Sequence, residues 1–491
     1  MYKKINTNQL KFNAFSTPFG GDLDSNNRWI LLALKIPWSK LEKKYAKLFC
    51  EKDGRPAISV RVAFGALIIK SKLNLTDRET VLQISENPYL QYFIGYKAFS
   101  LKPPFVNSMM SEFRKRFSID DINEINELIV DENKENDSNS DDEDPPENKG
   151  QLKIDATCAP QDIPYPTDVN LLNEARECSE KLIDKICEYH KIKKPRTYRK
   201  IARKNYLAFI KKKGRSKKII QKVIKKQLQY LRRNIKEIET IAKSKGLMCF
   251  AKRDLKILWV IQEVFRQQEK MYVEKSSKTE NRIVNIYQPH VRPIVRGKAG
   301  KPVEFGAKLS VSVINGMCFL DRHEWEAYNE GNDLEMQVEN YKTKQGFYPE
   351  VVCADKIYGN RKNRNFLKTK GIKFSGAPLG RPKPQSMEER KQFIKDQKDR
   401  NEIEGKFGIA KRRYSLGLIM TKLKHTSESW ASMMFLVMNL DKITQRAFLW
   451  LTHIHHFNEI GETFKGFPPI NRIIKIGTLL YINLLKIKRV V

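Results

Sequence analysis

The chain has 491 residues, and its 92 Lys and Arg outnumber its 57 Asp and Glu, which gives a net charge of +35 at neutral pH. This excess favours a polyanionic partner and argues against an enzyme that acts on small uncharged molecules. Hydrophobic residues make up 40% of the chain, enough for a buried core, so general disorder is excluded. The seven cysteines are scattered, with no Cys-x-x-Cys pair, and the first residues contain no apolar signal-peptide stretch. We therefore expect a cytoplasmic protein that does not enter a membrane.

Residues 1–128 have the pattern of a small helical domain. Apolar residues recur every three or four positions through VRVAFGALIIKSKL, which predicts a helix over residues 60–73. Thr76 and Glu79 have the spacing of a capping box, so a further helix is expected to begin there. Short helices with tight breaks are typical of helix-turn-helix DNA-binding domains, although any small helical bundle has the same pattern. We interpret this segment as an all-α DNA-binding domain.

An acidic linker is predicted at residues 129–150. Within it, residues 131–149 contain nine Asp and Glu, two Lys, two Pro and no large apolar side chain. Such a segment buries too little apolar surface to offset the entropy lost on ordering, so we expect it to be disordered. It serves either as a solvated tether or as an acidic tract that covers a basic surface until DNA displaces it.

The strand predicted at residues 152–157 is followed by a basic helical insertion at about residues 170–275. Residues 191–236 contain 20 Lys and Arg and no Asp or Glu. Apolar residues between 220 and 238 keep a helical spacing, so the insertion has an apolar face and a basic face. The basic face is either simply solvated or close to phosphates. We favour nucleic acid, because this many uncompensated cations repel one another unless a polyanion lies nearby.

The sequence between residues 282 and 414 alternates between strand and helix patterns. The runs VRPIV, VEFGAKLSVSVI and GMCFLD predict strands, and the Asn-Gly pair between the last two predicts a hairpin turn. The elements that follow are expected at about 331–345 (helix), 350–355 (strand), 360–370 (helix), 372–374 (strand) and 386–414 (helix). This order predicts an α/β domain at residues 151–444 with one mixed central sheet. The basic amphipathic segment at 445–491 either packs on this domain or helps the chain to multimerise.

Two aspartates follow apolar strand-like runs and are candidate catalytic residues. Asp155 comes after Leu-Lys-Ile, and Asp355 comes after Val-Val-Cys-Ala. A carboxylate at the end of a buried strand is costly unless it is paired, protonated or bound to a cation. If the two strands are neighbours in the sheet, both carboxylates point toward one place. The alternative is that each is an ordinary strand-end or capping residue.

A third candidate carboxylate, Glu404, lies on the long polar helix. At about 100° per residue, Arg400 and Lys411 lie within about 40° and 20° of its direction, whereas Glu402 points to the opposite side. This helix face either is exposed to solvent and held together by ion pairs, or belongs to one site with the two aspartates. Three carboxylates on three separate elements are suited to hold a pair of Mg²⁺ ions.

Four segments of the chain carry a resemblance to a known family. They are VRPIVRGKAGKPVEFGAKLSVSV, ADKIYGNRKNRNFL, SGAPLGRPK and RNEIEGKFGIAKRRYSLG. The chain resembles the DDE insertion-sequence transposases of bacteria, from its N-terminal helices to about residue 440. Related transposases place the third carboxylate in a Tyr-x2-Arg-x3-Glu-x6-Lys signature. Arg400, Glu404 and Lys411 match that signature, and Gln397 occupies its tyrosine position.

The resemblance implies a ribonuclease-H-like catalytic core that cleaves DNA at transposon ends and transfers the strand by a two-metal mechanism. Asp155, Asp355 and Glu404 would bind two Mg²⁺ ions, which Mn²⁺ can replace. Arg400 and Lys411 would hold phosphates of the transposon end beside the ions.

The partners implied by the resemblance are double-stranded DNA, as terminal inverted repeats and as target, and further copies of the chain in a synaptic complex. The protein would then be associated with the bacterial nucleoid. Arg361 and Arg364 follow Asp355 on the next predicted helix, where they either contact DNA backbone phosphates or form a plain helix surface. No nucleotide cofactor is expected, because RGKAGK lacks the Gly-x4-Gly-Lys-Ser/Thr spacing of a P-loop and joins two strands.

Three other functions are compatible with the sequence. A decayed, catalytically inactive copy of such a transposase would bind DNA as a regulator without cutting it. A basic RNA-binding protein would use residues 191–236 against structured RNA, with no preference for particular DNA ends. A hydrolytic nuclease of the same fold would cleave DNA and never join the 3′-hydroxyl to a new strand.

Overall fold

The computed structural model describes residues 11–18, 20–49, 57–134, 148–295, 303–376 and 387–463. The strands within these ranges are β1 (Gln151–Pro160), β2 (Arg292–Val295), β3 (Val303–Ile314), β4 (Met317–Glu324), β5 (Val351–Cys353) and β6 (Lys373–Phe374). The α-helices are α1 (Arg28–Lys35), α2 (Trp38–Ala46), α3 (Val60–Leu73), α4 (Asp77–Glu86), α5 (Pro88–Phe93), α6 (Met109–Arg116), α7 (Ile119–Glu132), α8 (Asp168–Tyr189), α9 (Arg199–Ile210), α10 (Lys217–Lys245), α11 (Lys252–Val273), α12 (Leu334–Gln345), α13 (Arg361–Thr369), α14 (Met387–Arg413) and α15 (Lys424–Thr463). None of the helices described here combines an apolar stretch of membrane-spanning length with few charges.

The strands form one mixed sheet around β1. β1 pairs antiparallel with β3 on one side and parallel with β5 on the other, and β6 extends the parallel side. β3 pairs in addition with β2 and β4. Asn315 and Gly316 form the two-residue turn between β3 and β4 with φ values of 50° and 73°, as the Asn-Gly pair predicts for a hairpin. The α/β class expected from the order of predicted elements is therefore confirmed.

Helices α12 and α14 cover opposite faces of this sheet. Glu402 of α14 pairs with Lys153 of β1, with 2.5 Å between Oε2 and Nζ. On α12, Gln337 donates at 2.8 Å to the Asp321 carboxylate of β4. The same carboxylate accepts a hydrogen bond from the Ser312 hydroxyl of β3. Ser312 is the register partner of Ile154, the residue after Lys153, and successive side chains of a strand alternate between faces. The sheet is thus a middle layer, with α14 on the face to which Lys153 points.

The N-terminal helices pack against the sheet through α7 and α15. Asn126 of α7 donates to the Cys318 carbonyl of β4 at 3.1 Å, and Asn439 of α15 donates to the same carbonyl at 2.7 Å. Buried apolar side chains surround these bonds, so the N-terminal helices and the sheet share one hydrophobic core. The division predicted after residue 128 does not separate two cores, because a buried helix face has the same pattern whether it packs within a bundle or against a sheet.

Two predicted boundaries lie inside helices. The apolar periodicity of α7 continues to Ile129 and Val130, which are buried, so the helix extends beyond the linker start predicted at residue 129. α15 runs through the boundary predicted at residue 444, because residues 424–460 contain no Gly or Pro. Most of the predicted linker (135–147) and the end of the C-terminal segment (464–491) lie outside the described residues.

Four helices, α8–α11, occupy the interval between β1 and β2 where the sequence predicts a basic insertion. They bury a hydrophobic core of their own, distinct from the core that the sheet shares with the N-terminal helices. Members of this second core include Leu172 and Ile183 of α8, Leu231 and Ile238 of α10 and Ile261 of α11.

A buried ion pair fixes the C-terminal end of α14. Lys72 of α3 pairs with Asp441 of α15, and their side chains are only 8% and 6% exposed. The hydroxyl of Tyr414, directly after α14, donates to the same carboxylate. Ser415 donates a second hydrogen bond to Asn74, just after α3. The end of α14 is therefore attached to both α3 and α15.

Replacing Asp441 with Asn would leave the Lys72 ammonium buried without its counter-charge. Burial lowers the pKa of Lys72 to about 8, so the ammonium still carries its charge at pH 7. Removal of one partner of a buried ion pair costs about 3–5 kcal/mol, so we expect Asp441→Asn to lower the free energy of unfolding by about 3 kcal/mol in urea titrations. Tyr414→Phe, which keeps the ion pair, is the control, with an expected loss of about 1 kcal/mol. Equal losses in the two variants would contradict this account.

Candidate active site beside β1 and β5

The two candidate aspartates lie on neighbouring strands. Asp155 lies in the middle of β1, and Asp355 follows the last residue of β5 by two positions. The strands are parallel, with Lys153 of β1 opposite Cys353 of β5. Continued by two residues, this register places Asp155 opposite Asp355. The structure therefore brings the two carboxylates to one edge of the parallel part of the sheet.

Asp355 caps the 3-10 turn Lys356–Tyr358. Its Oδ1 atom accepts from the Lys356 N–H at 2.6 Å, and its extended backbone (φ −71°, ψ 162°) is typical of a residue that caps a helical turn. The side chain is 58% exposed. The carboxylate is thus held in one direction while more than half of it faces solvent.

Glu404 reaches the site from α14. Ile403 is buried against the sheet, and Glu402 and Glu404 lie on either side of it. Arg400, one turn earlier, places Nη1 3.1 Å from Asp355 Oδ1 and Nη2 3.5 Å from Glu404 Oε1. One guanidinium therefore links two of the three predicted carboxylates, whereas Glu402 is used in the ion pair with β1.

Asp155 is surrounded by negative charge. Burial raises the pKa of its carboxyl group to about 6, and the charges of neighbouring carboxylates act in the same direction. Those neighbours are Glu330, Asp355 and Glu404. The Ala156 N–H donates to Asp155 Oδ1 at 2.8 Å and partly offsets the rise. A carboxylate in such surroundings is stabilised by a cation, because a positive charge nearby favours its ionised form.

Glu330 is a fourth carboxylate at this site, and the sequence does not single it out. It lies on the 3-10 turn Glu330–Asn332 and pairs with Lys308 of β3 at 2.7 Å. Gly331 lets this turn approach the turn after β5, since a Cβ atom at position 331 would lie 2.6 Å from the Ile357 carbonyl oxygen. The single sequence signal is an acidic residue directly before a predicted helix, which indicates an ordinary helix start rather than a site.

The donor atoms of this site suit a hard divalent cation, since every candidate ligand is a carboxylate oxygen. Among the residues that the structure describes, no three Asp, Glu, His or Cys side chains are grouped closely enough to hold a metal ion. Arg400 instead occupies the position between Asp355 and Glu404. Its Nε atom is buried and has no hydrogen-bond partner among the described residues. The charge and the donor atoms of the carboxylates fit a cation. The cation that pairs with Asp355 and Glu404 is the guanidinium of Arg400.

The other predicted phosphate-binding residues lie on α13 and α14. Arg361 is exposed on the first turn of α13. Arg364 donates to the Gly359 carbonyl at 2.9 Å, and its guanidinium lies 4.8 Å from the centre of the Phe374 ring. Lys411 is half-buried near the C-terminal end of α14. The structure thus leaves Arg361 facing solvent and uses Arg364 in local packing.

Two family models match parts of the chain. One is described as a transposase DDE domain and matches residues 352–441, a range that includes Asp355 and Glu404. The other is described as a transposase domain (DUF772) and matches residues 19–116. These matches confirm the resemblance to insertion-sequence DDE transposases and support a transposase role.

The chain is also similar to an uncharacterised protein of Rhizobium meliloti, ORF8 in the nfe locus. The two are 27% identical over 175 residues, which make up 36% of this chain and 80% of that protein. No solved structure matches the chain.

Proposed function

We propose that this chain is a DDE transposase that cuts DNA at the ends of a transposon and joins the resulting 3′-hydroxyl to target DNA. The observation that carries the proposal is that Arg400 pairs with both Asp355 and Glu404, whose charges in turn help to raise the pKa of Asp155. It is supported by the matches of two segments of the chain to transposase domains. In this proposal the three carboxylates bind divalent metal ions, Mg²⁺ or Mn²⁺.

The proposed fold of residues 151–444 is ribonuclease-H-like, with the helical insertion after its first strand. Its support is the layout of the mixed sheet, in which the central strand β1 carries one acid and its parallel neighbour β5 is followed by the second. α14 crosses the same face and supplies the third. Backbone pairing thus holds two of the carboxylates, and helix packing holds the other.

The protein's part in this chemistry is to hold the carboxylates in place. Bound divalent ions would supply an activated water or 3′-hydroxyl as the nucleophile and would stabilise the leaving oxygen. Asp155 is fixed by the pairing of β1 with β3, by the β1–β5 pairing that ends two residues before it, and by the Ala156 N–H. Asp355 is oriented by the Lys356 N–H. No covalent bond between DNA and protein is required.

Arg400 has two successive partners in this proposal. Its guanidinium pairs with the carboxylates of Asp355 and Glu404. With divalent ions bound to those carboxylates, the guanidinium would be available to a DNA phosphate close to the reacting bond, a group that it could bind with two parallel N–H donors. Lys411 and Arg361 are proposed to contact further backbone phosphates, which position the duplex without selecting its sequence.

The proposed partners are duplex DNA, as element ends and as target, and further copies of the chain in a synaptic complex. The N-terminal helices are proposed to bind DNA, which their match to a transposase domain supports. A regulator that binds DNA without cutting, an RNA-binding protein and a simple nuclease are the alternatives that the following experiment separates.

The experiment uses a plasmid that carries the DNA flanking the gene, incubated with purified protein and Mg²⁺ or Mn²⁺. We expect wild type to cut at the borders of the element and to give joined products. Asp155→Asn, Asp355→Asn and Glu404→Gln keep the shape of each side chain and remove its charge, so cleavage should fall by about 100-fold or more. Cleaved ends and joined products are measured on gels.

Glu388→Gln is the matched control, because Glu388 is an exposed carboxylate on the same helix as Glu404, about 24 Å before it along the helix axis. It should retain cleavage, and thermal melting checks that it folds. Cuts that persist in Asp355→Asn would contradict the proposed site. Binding without cuts in wild type would favour the regulator, cuts without joined products would favour the nuclease, and a preference for RNA would favour the RNA-binding protein.

Replacing Arg400 with Ala removes the side-chain cation that competes with metal ions for Asp355 and Glu404. Exposed ion pairs are worth about 0.2–1 kcal/mol each, so loss of both should tighten Mn²⁺ binding by about two- to thirtyfold. Isothermal titration of the DNA-free protein measures this change independently of activity. Arg412→Ala, on the same helix, is the control and should bind as wild type does. Weaker Mn²⁺ binding in Arg400→Ala would contradict the competition.

A further inference from the structure

The helical insertion carries more than half of the net charge of the chain. Residues 168–273 contain 30 Lys and Arg and 11 Asp and Glu, a net charge of +19 out of +35. Nine of the cations lie within residues 211–226, at the junction of α9 and α10, a segment that we call the basic tip. They are Lys211, Lys212, Lys213, Arg215, Lys217, Lys218, Lys222, Lys225 and Lys226. All nine are exposed.

Several cations elsewhere on the insertion have carboxylate partners, whereas those of the basic tip do not. The paired cations include Lys185 (with Asp254), Lys194 and Arg199 (with Asp184) and Arg232 (with Glu269). Within the described parts of the chain, none of the nine tip cations forms an ion pair, and residues 191–236 contain no acidic side chain. Like charges at this spacing repel one another, so the tip is suited to an external polyanion.

The basic tip has a defined backbone shape. Arg215 donates to the Ile210 carbonyl at 2.8 Å and to the Lys212 carbonyl at 3.1 Å, and its guanidinium lies 5.0 Å from the centre of the Phe209 ring. These contacts close the end of α9. The buried residues of α10 begin only at Gln227, so ten residues, about 15 Å of helix, precede the core of the insertion. Five of the nine cations therefore lie on a helix that extends beyond the core, and the other four lie in the turn that Arg215 closes.

We propose that the basic tip binds the phosphate backbone of duplex DNA, as a contact surface separate from the acid site. Duplex DNA carries about one negative charge per 1.7 Å with both strands counted, so a length of about 15 Å carries about nine phosphates, of which the tip contacts those on its own side. Residues 211–226 contain no aromatic side chain, so they lack the stacking platforms that bind single strands. The inference rests on the proposed function, in which DNA is the substrate. It adds a surface that binds duplex DNA through its backbone, independently of base sequence.

The test measures the salt dependence of binding to a duplex of unrelated sequence, with the full chain. The tip variant is K211Q/K213Q/K218Q/K222Q/K226Q, and the control is K243Q/K245Q/K252Q/K270Q/K278Q, which removes the same charge from exposed lysines elsewhere on or beside the insertion. Each lost phosphate contact lowers the slope of log K against log salt by about 0.9. We expect the slope to fall by about 4 in the tip variant and by less than about 1 in the control.

A third variant with Arg at the five tip positions keeps the charge and should keep the wild-type slope. Equal slopes in the tip variant and the control would overturn the proposal, as would a loss of binding to single-stranded RNA without a loss for duplex DNA. Border cleavage by wild type is measured in parallel. If the slope falls in the tip variant and wild type does not cleave, the tip surface is supported and the transposase proposal is contradicted. If wild type cleaves and the slope of the tip variant is unchanged, the transposase proposal is supported and the tip surface is contradicted.

Discussion

The parallel pairing of β1 with β5 decides where the acid site lies. It joins residues 200 positions apart in the sequence, across the helical insertion and the β3–β4 hairpin, and it sets Asp155 opposite Asp355. A slip of one residue would turn Asp155 to the other face of the sheet, because side chains alternate along a strand. The nine-residue register between β1 and β3 opposes such a slip from the other side. The remaining parts of the site are placed relative to this strand pair.

The position of Glu404 depends on how α14 lies across the sheet. Glu402 attaches the helix to β1 through Lys153, and beyond its C-terminal end Tyr414 bonds to the Asp441 carboxylate. Asp441 is in turn paired with a lysine of α3. The N-terminal helices, part of which matches a transposase domain, therefore help to place a residue of the candidate site through this ion pair and hydrogen bond.

Elements that depend on local pattern can be predicted from the sequence, and contacts between elements cannot. The helix predicted at 386–414 is observed at Met387–Arg413, and the Asn-Gly hairpin is observed as predicted. Arg400 and Glu404 meet because they are four residues apart on one helix. The contact of Arg400 with Asp355, by contrast, depends on the angle at which α14 crosses β5. Glu330 joins the site only because Gly331 permits close packing of two turns.

The charge of this chain is divided between surfaces that would have opposite tasks. A phosphodiester that approaches Asp155 meets a group of carboxylates, which repel it unless cations lie between them. The Arg400 guanidinium is one such cation. The attraction that draws a polyanion to the molecule must come from elsewhere, and the insertion, with a net charge of +19, is a source of that attraction. Under the proposed function, positive charge would draw DNA to the chain and the acidic site would act on it, so the two kinds of charge would serve different steps from different parts of a chain with a net charge of +35.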